Sequence, residues 1–282
     1  LPDSSEPFPT GSPKLASVFA IANQKGGVGK TTTAVNVATA LAQAGESVLL
    51  VDLDPQGNAS TGLGIGRNER KRGTYTLLIE GQAAQRSELG IAIPTNSPNL
   101  SIIAADPDLA GAEVELVSLA RREYRLRDRI QVLRESGAYS FIILDCPPSL
   151  GLLTVNGLVA ADSILVPLQC EFFALEGISH MIRTVEWVRL KLNPGLRLQG
   201  IVLTMFDRRN NLSELVATDA RSFFGSVVYD TVIPRNIRLS EAPSHGKSVL
   251  LYDSRSAGAM AYIRLTEEIM AREQTFGRSL AT

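Results

Sequence analysis

An apolar run, Ser17 to Ala22, leads directly into Asn23-Gln-Lys-Gly-Gly-Val-Gly-Lys-Thr-Thr-Thr33, and a helical pattern comes next. Few arrangements constrain a fold as tightly. Gly26, Gly27 and Gly29 let the backbone curl so that successive amides point at one anion, and the helix adds the positive end of its dipole. In this pattern Lys30 reaches the β- and γ-phosphates of a nucleoside triphosphate, and the Thr31 hydroxyl ligates Mg²⁺. The stretch Lys25, Gly26, Gly27, Val28, Gly29, Lys30, Thr31 and Thr32 is therefore the predicted phosphate cradle.

Further apolar runs at Ser47 to Val51, Phe141 to Leu144, Ser163 to Val166 and Leu198 to Leu203 alternate with helical patterns. The predicted helices cover about 30–44, 113–136, 152–161, 174–191, 211–224 and 257–273. Nearly continuous apolarity within the runs means strands buried on both faces. The expected fold is α/β: a doubly wound, mostly parallel sheet with helices on both faces, binding its ligand at the C-terminal strand ends. Residues 1–14, rich in Pro and Ser, read as a flexible tail, and 15–282 as one domain.

Two strands end in aspartate. Val51-Asp-Leu-Asp54 places Asp52 and Asp54 beside the phosphate loop, and Phe141-Ile-Ile-Leu-Asp145 has the form of a Walker B strand, with Asp145 holding Mg²⁺ through its water shell. Cys146 and Cys170 form no CxxC pair, which points to packed thiols in a reducing compartment. The longest apolar stretch, Leu150 to Leu168, is broken by Asn156, Asp162 and Pro167 and reads as a helix and then a strand, giving a cytoplasmic protein without a membrane partner. A formal net charge of −1 means that any contact with nucleic acid needs a local patch or an assembled oligomer. Arg121, Arg125 and Arg129, four apart, are expected to share a helix face, with Glu123 and Asp128 interleaved.

The loop departs from GxxxxGK[ST], because position 24 is Gln and an additional lysine, Lys25, stands after it. Lys25-Gly-Gly-Val-Gly-Lys-Thr-Thr32 resembles the deviant Walker A box of the ParA/MinD/nitrogenase-iron-protein class. Between about Ser17 and Met270, further segments resemble the ParA/Soj partitioning ATPases. These are Val51 to Ser60, Asp145-Cys-Pro-Pro-Ser149, Val166-Pro-Leu-Gln169 with Glu171-Phe172, Ile233-Pro-Arg-Asn236, and Ser240 to Lys247.

That resemblance implies an ATP- and Mg²⁺-dependent P-loop ATPase. Two chains sandwich two ATP molecules, and Lys25 reaches the partner subunit's nucleotide. Asp54 orients the attacking water and, with Lys25 and Lys30, makes up the catalytic set; Asp52 supports the metal shell or binds loop threonines. Pro234 and Asn236 lie against the adenine, with Met205 and Asp207 completing its pocket. Arg209 and Arg238, then Arg208 and Lys247, contact duplex DNA without regard to sequence. The implied partner is a ParB-type activator of slow hydrolysis, and the implied location is the nucleoid. A MinD-type membrane ATPase shares this ATP site but needs a basic amphipathic anchor, whereas Arg264 to Arg278 holds three arginines and three glutamates. An iron–sulfur reductase of the nitrogenase type needs cysteines in a Gly-rich context, which neither Cys146 nor Cys170 has.

Overall fold

A computed structural model describes residues 15–79, 89–172 and 174–279. The first apolar run becomes β1 (Ser17–Ile21), and the loop after it opens α1 (Lys30–Gln43). Strands β2 (Val48–Asp52), β5 (Phe141–Asp145), β6 (Ser163–Gln169), β7 (Arg197–Phe206) and β8 (Val228–Pro234) complete the long part of the sheet. Two short strands, β3 (Ile93–Pro94) and β4 (Leu100–Ile103), extend one edge. The order is β3-β4-β2-β5-β1-β6-β7-β8, parallel throughout except for β3 against β4.

Period-two alternation feeds two cores. Val18 and Ala20 of β1, Leu49 and Val51 of β2, and Ile142 and Leu144 of β5 face one side; Phe19, Ile21, Val48, Leu50, Phe141 and Ile143 face the other. The first face is covered by α3 (Thr74–Ile79), α4 (Leu109–Leu116), α5 (Arg125–Glu135), α6 (Leu152–Ala160), α7 (Ala174–Lys191) and α8 (Asn211–Phe224). The second is covered by α1, α2 (Asn58–Gly62), α10 (Val249–Tyr252) and α11 (Ala257–Ser279), with α9 (Ile237–Glu241) packed alongside. Alanines 34, 38, 40 and 42 are all buried, so α1 packs closely between the sheet and α11. Thr33 of α1 shares a buried 3.1 Å hydrogen bond with Tyr262 of α11.

The chain leaves β1 toward β2 on one side and later enters β6 on the other, so winding reverses at β1. The crevice at that switch point is where such sheets bind ligands. One expected helix, 113–136, is two. Between α4 and α5 Arg121 takes a left-handed φ of 53°, which no helix interior tolerates. Among the described residues no helix is long and apolar enough to cross a membrane.

Candidate nucleotide site

The loop after β1 takes the shape its glycines permit. Gly27 and Gly29 have φ of 76° and 89°, where a side chain would be strained, and Gly29 is the N-cap of α1. Gly29, as the N-cap, has no side chain to cap the α1 amides, so the N–H groups of the first turn, which have no intrahelical partner, are left for a ligand in the loop. Val28 is buried, and its carbonyl accepts a 2.8 Å hydrogen bond from Thr204 of β7, fixing the loop against a strand two places away in the sheet. The Asn23 side chain donates to the Pro167 carbonyl at 2.7 Å and accepts from the Lys25 amide at 3.1 Å.

Lys30 is buried, and its ammonium donates to the Lys25 carbonyl at 2.8 Å. Burial lowers its pKa, opposed first by the charge of Asp145 and then by Cys146 and Asp54. The Lys25 ammonium instead forms an ion pair with Glu171, just beyond β6.

Asp52 and Asp145 are register partners across β2 and β5, and both are fully buried. Asp52 accepts hydrogen bonds from the Ser60 amide (2.9 Å), the Ser60 hydroxyl (2.6 Å) and the Asp54 amide (3.2 Å). Burial still pushes its pKa up to about 6, with the Ser60 bonds pulling against it. Neither oxygen of Asp145 accepts a well-formed hydrogen bond from the described residues. Burial raises its pKa well above the usual carboxylate range, and the charge of Asp52 adds to this; the Thr31 hydroxyl pulls the other way. Asp54, also buried, accepts from the Gln56 amide at 2.9 Å.

A buried, unpaired carboxylate facing a threonine hydroxyl and a lysine is an environment a hard cation satisfies, so these residues fit Mg²⁺. Among the described residues no cluster of three or more His, Cys, Asp or Glu could hold a metal alone. Mg²⁺ is commonly carried on one or two carboxylates together with waters and phosphate oxygens.

Met205 lies near the end of β7 with φ of 52°, a strained value for a long side chain, next to Phe206, which pairs with Pro234 at the end of β8. The Arg235 amide donates to the Phe206 carbonyl at 2.9 Å, and the Asn236 side chain caps α9 by accepting from the Arg238 amide at 2.9 Å. The C-terminal ends of β7 and β8 thus bring together Met205, Pro234 and Asn236. One turn into α9, Leu239 lines a cavity of about 300 Å³ that also touches Thr31, Thr32, Val35, Pro243 and Ser248. No sequence signal pointed to this cavity, because three separate segments form its walls.

The residues expected at DNA lie just beyond the same two strands. Arg209 is highly exposed and folds onto Asp207 through two 3.0 Å bonds, which hold that carboxyl down at about 2. Arg238 pairs with Glu241 at 2.8 Å and Asp253 at 3.4 Å; Arg208 and Lys247 are exposed. The expected shared face of Arg121, Arg125 and Arg129 does not form. Arg121 precedes α5, Arg125 donates to the carbonyls of Leu78 and Ile79 at the end of α3, and Arg129 is buried.

Fold and loop together define a domain of the P-loop nucleoside-triphosphatase type. A family described as AAA domain matches residues 16–198. The chain is 59% identical over 257 residues to a chromosome partitioning protein ParA of Caulobacter vibrioides, covering 91% of this chain and 95% of that protein. It is 49% identical to the sporulation initiation inhibitor protein Soj of Bacillus subtilis, covering 91% and 99%. Among solved structures, a cobyrinic acid a,c-diamide synthase from Mycobacterium smegmatis with bound ADP and magnesium superposes with TM-score 0.79 at 35% identity, covering 92% and 96%. The chain belongs to the ParA/Soj family of chromosome-partitioning ATPases.

Proposed function

We propose that residues 15–282 act as one ATPase unit that binds ATP with Mg²⁺, pairs with a second copy around the nucleotides, and holds nonspecific duplex DNA until hydrolysis resets it. The observation that carries this reading is the buried Asp145 carboxylate, without a well-formed hydrogen bond from the described residues, beside Thr31, Lys30 and a helix whose N-cap glycine supplies no side-chain cap.

The loop amides and Lys30 bind the phosphates. The ammonium shifts from the Lys25 carbonyl to phosphate oxygens, exchanging a neutral acceptor for a charged one. Asp145 and Thr31 hold the metal, which when bound neutralises charge on the phosphoryl oxygens. Asp52 serves them indirectly by fixing the turn that carries Asp54. Asp54 orients the attacking water, and the nucleoside runs toward Met205, Pro234, Asn236 and the cavity beside Thr32. Lys25 reaches the phosphates of the second copy.

Arg209 and Arg238, helped by Arg208 and Lys247, supply phosphate contacts that doubling in a dimer makes sufficient despite the net charge of −1. A ParB-type protein is the activator, and the complex resides on the nucleoid. The test is ATP turnover by the purified chain alone, with duplex DNA, and with DNA plus a candidate activator. Slow turnover that rises with both additions supports the reading. Absence of ATP binding in the presence of Mg²⁺ contradicts it.

A further inference from the structure

In the nucleotide-free chain the backbone of Lys25 is held from both sides, its amide donating to Asn23 and its carbonyl accepting from Lys30, and the side chain takes a partner of its own. In the single chain that side chain ends on Glu171. Glu171 stands at the junction of β6 and α7: its amide donates to the Gln169 carbonyl at 2.9 Å, and its own carbonyl accepts from the Ala174 amide at 3.0 Å. Its Oε1 is shielded from solvent and accepts no other hydrogen bond from the described residues.

We propose that Glu171 is the counter-ion of Lys25 in the unpaired chain and acts as a brake on pairing of two chains around nucleotide. This rests on the proposed reach of Lys25 into a second copy. One ammonium cannot serve both partners, so each chain must break its Lys25–Glu171 pair before its lysine reaches the other's phosphates. Two pairs are broken per symmetric dimer. Both side chains are partly exposed, 44% for Lys25 and 32% for Glu171, so each pair is of the modest surface kind. Breaking two such pairs opposes dimerisation by about 2- to 30-fold in the equilibrium constant. Glu171 is thus a positioning residue, setting how much nucleotide-driven gain is needed before the chains close.

The test compares the wild-type chain with Glu171→Gln, which keeps shape and hydrogen bonding while removing the charge. Sedimentation with a non-hydrolysable ATP analogue and Mg²⁺ measures the protein concentration for half-dimerisation. Competitive acylation of lysines in the nucleotide-free chain, read by mass spectrometry, measures the freedom of Lys25. The expected result is a half-dimerisation concentration about 2- to 30-fold lower, with faster acylation at Lys25 and unchanged rates at other lysines. An unchanged or higher concentration overturns the brake, and so does unchanged acylation of Lys25. If Glu171→Gln folds poorly, Glu171→Asp, which shortens the pair by one methylene, is read the same way with a smaller shift. Lys25→Ala separates the two claims. Normal dimerisation of that variant sinks the cross-subunit reading itself, whereas impaired dimerisation together with no gain from Glu171→Gln sinks the brake alone.

Discussion

The ends of β2 and β5 lie side by side and carry the same residue, yet the two aspartates live differently. Asp52 and Asp145 are paired in register and equally buried, but Asp52 accepts three hydrogen bonds, whereas among the described residues Asp145 has only the Thr31 hydroxyl beside it and accepts no well-formed bond. The difference arises from the segment that leaves each strand. After β2 the chain turns back through α2, bringing the amide and hydroxyl of Ser60 onto Asp52. After β5 comes Cys146-Pro-Pro148, whose prolines have no N–H to donate. Burial alone therefore does not identify a metal ligand. A carboxylate already saturated by its own chain holds structure together, and one left bare is poised for a cation.

The largest expected effect comes from removing the bare carboxylate. Asp145→Ala should weaken Mg²⁺-dependent ATP binding by on the order of 100-fold, measured by calorimetry, while the ligand-free chain melts no lower than wild type because an unpaired buried acid has gone. Asp52→Ala should do the reverse. Stranding the Ser60 and Asp54 donors costs about 2–3 kcal/mol of stability in chemical denaturation, with ATP affinity changed only a few-fold in the folded protein. A smaller effect is the pH dependence of the empty chain. Both aspartates have folded pKa values raised by burial, to about 6 for Asp52 and well above the usual carboxylate range for Asp145. The folded chain then holds protons that the unfolded chain has released, so stability falls as pH rises from about 4 through about 6, the folded value of Asp52. The melting temperature without nucleotide should drop over that range, and Asp52→Asn should flatten the drop. Binding of ATP with Mg²⁺ needs the ionised carboxylate and should tighten over the same range.

Much of this was legible in sequence, and the gaps have physical reasons. The phosphate loop could be read because its conformation is local: positive φ at Gly27 and Gly29, a lysine and a threonine in fixed register, a helix beginning at once. The parallel sheet could be inferred from continuous apolar runs. Strand β8 stood out less because Asp230 and Thr231 interrupt its apolarity, and the break between α4 and α5 was hidden by a helical pattern running through Arg121. Asp145 was expected to hold Mg²⁺ and Asp52 to support the metal shell or bond loop threonines; that Asp52 is instead bonded by Ser60 was not visible, since Ser60 lies on another element. The arginines of α5 looked like one face because spacing is visible, whereas the carbonyls of Leu78 and Ile79 that capture Arg125 are tertiary neighbours.

The most direct measurement is ATP affinity with Mg²⁺ and with excess EDTA for wild type, Asp145→Ala and Asp52→Ala, each shown to be folded by circular dichroism. Mg²⁺ is predicted to strengthen binding in wild type and in Asp52→Ala, and this gain is predicted to disappear in Asp145→Ala. A full Mg²⁺ gain retained by Asp145→Ala, or one lost in Asp52→Ala alone, would contradict the assignment of Asp145 as the metal ligand.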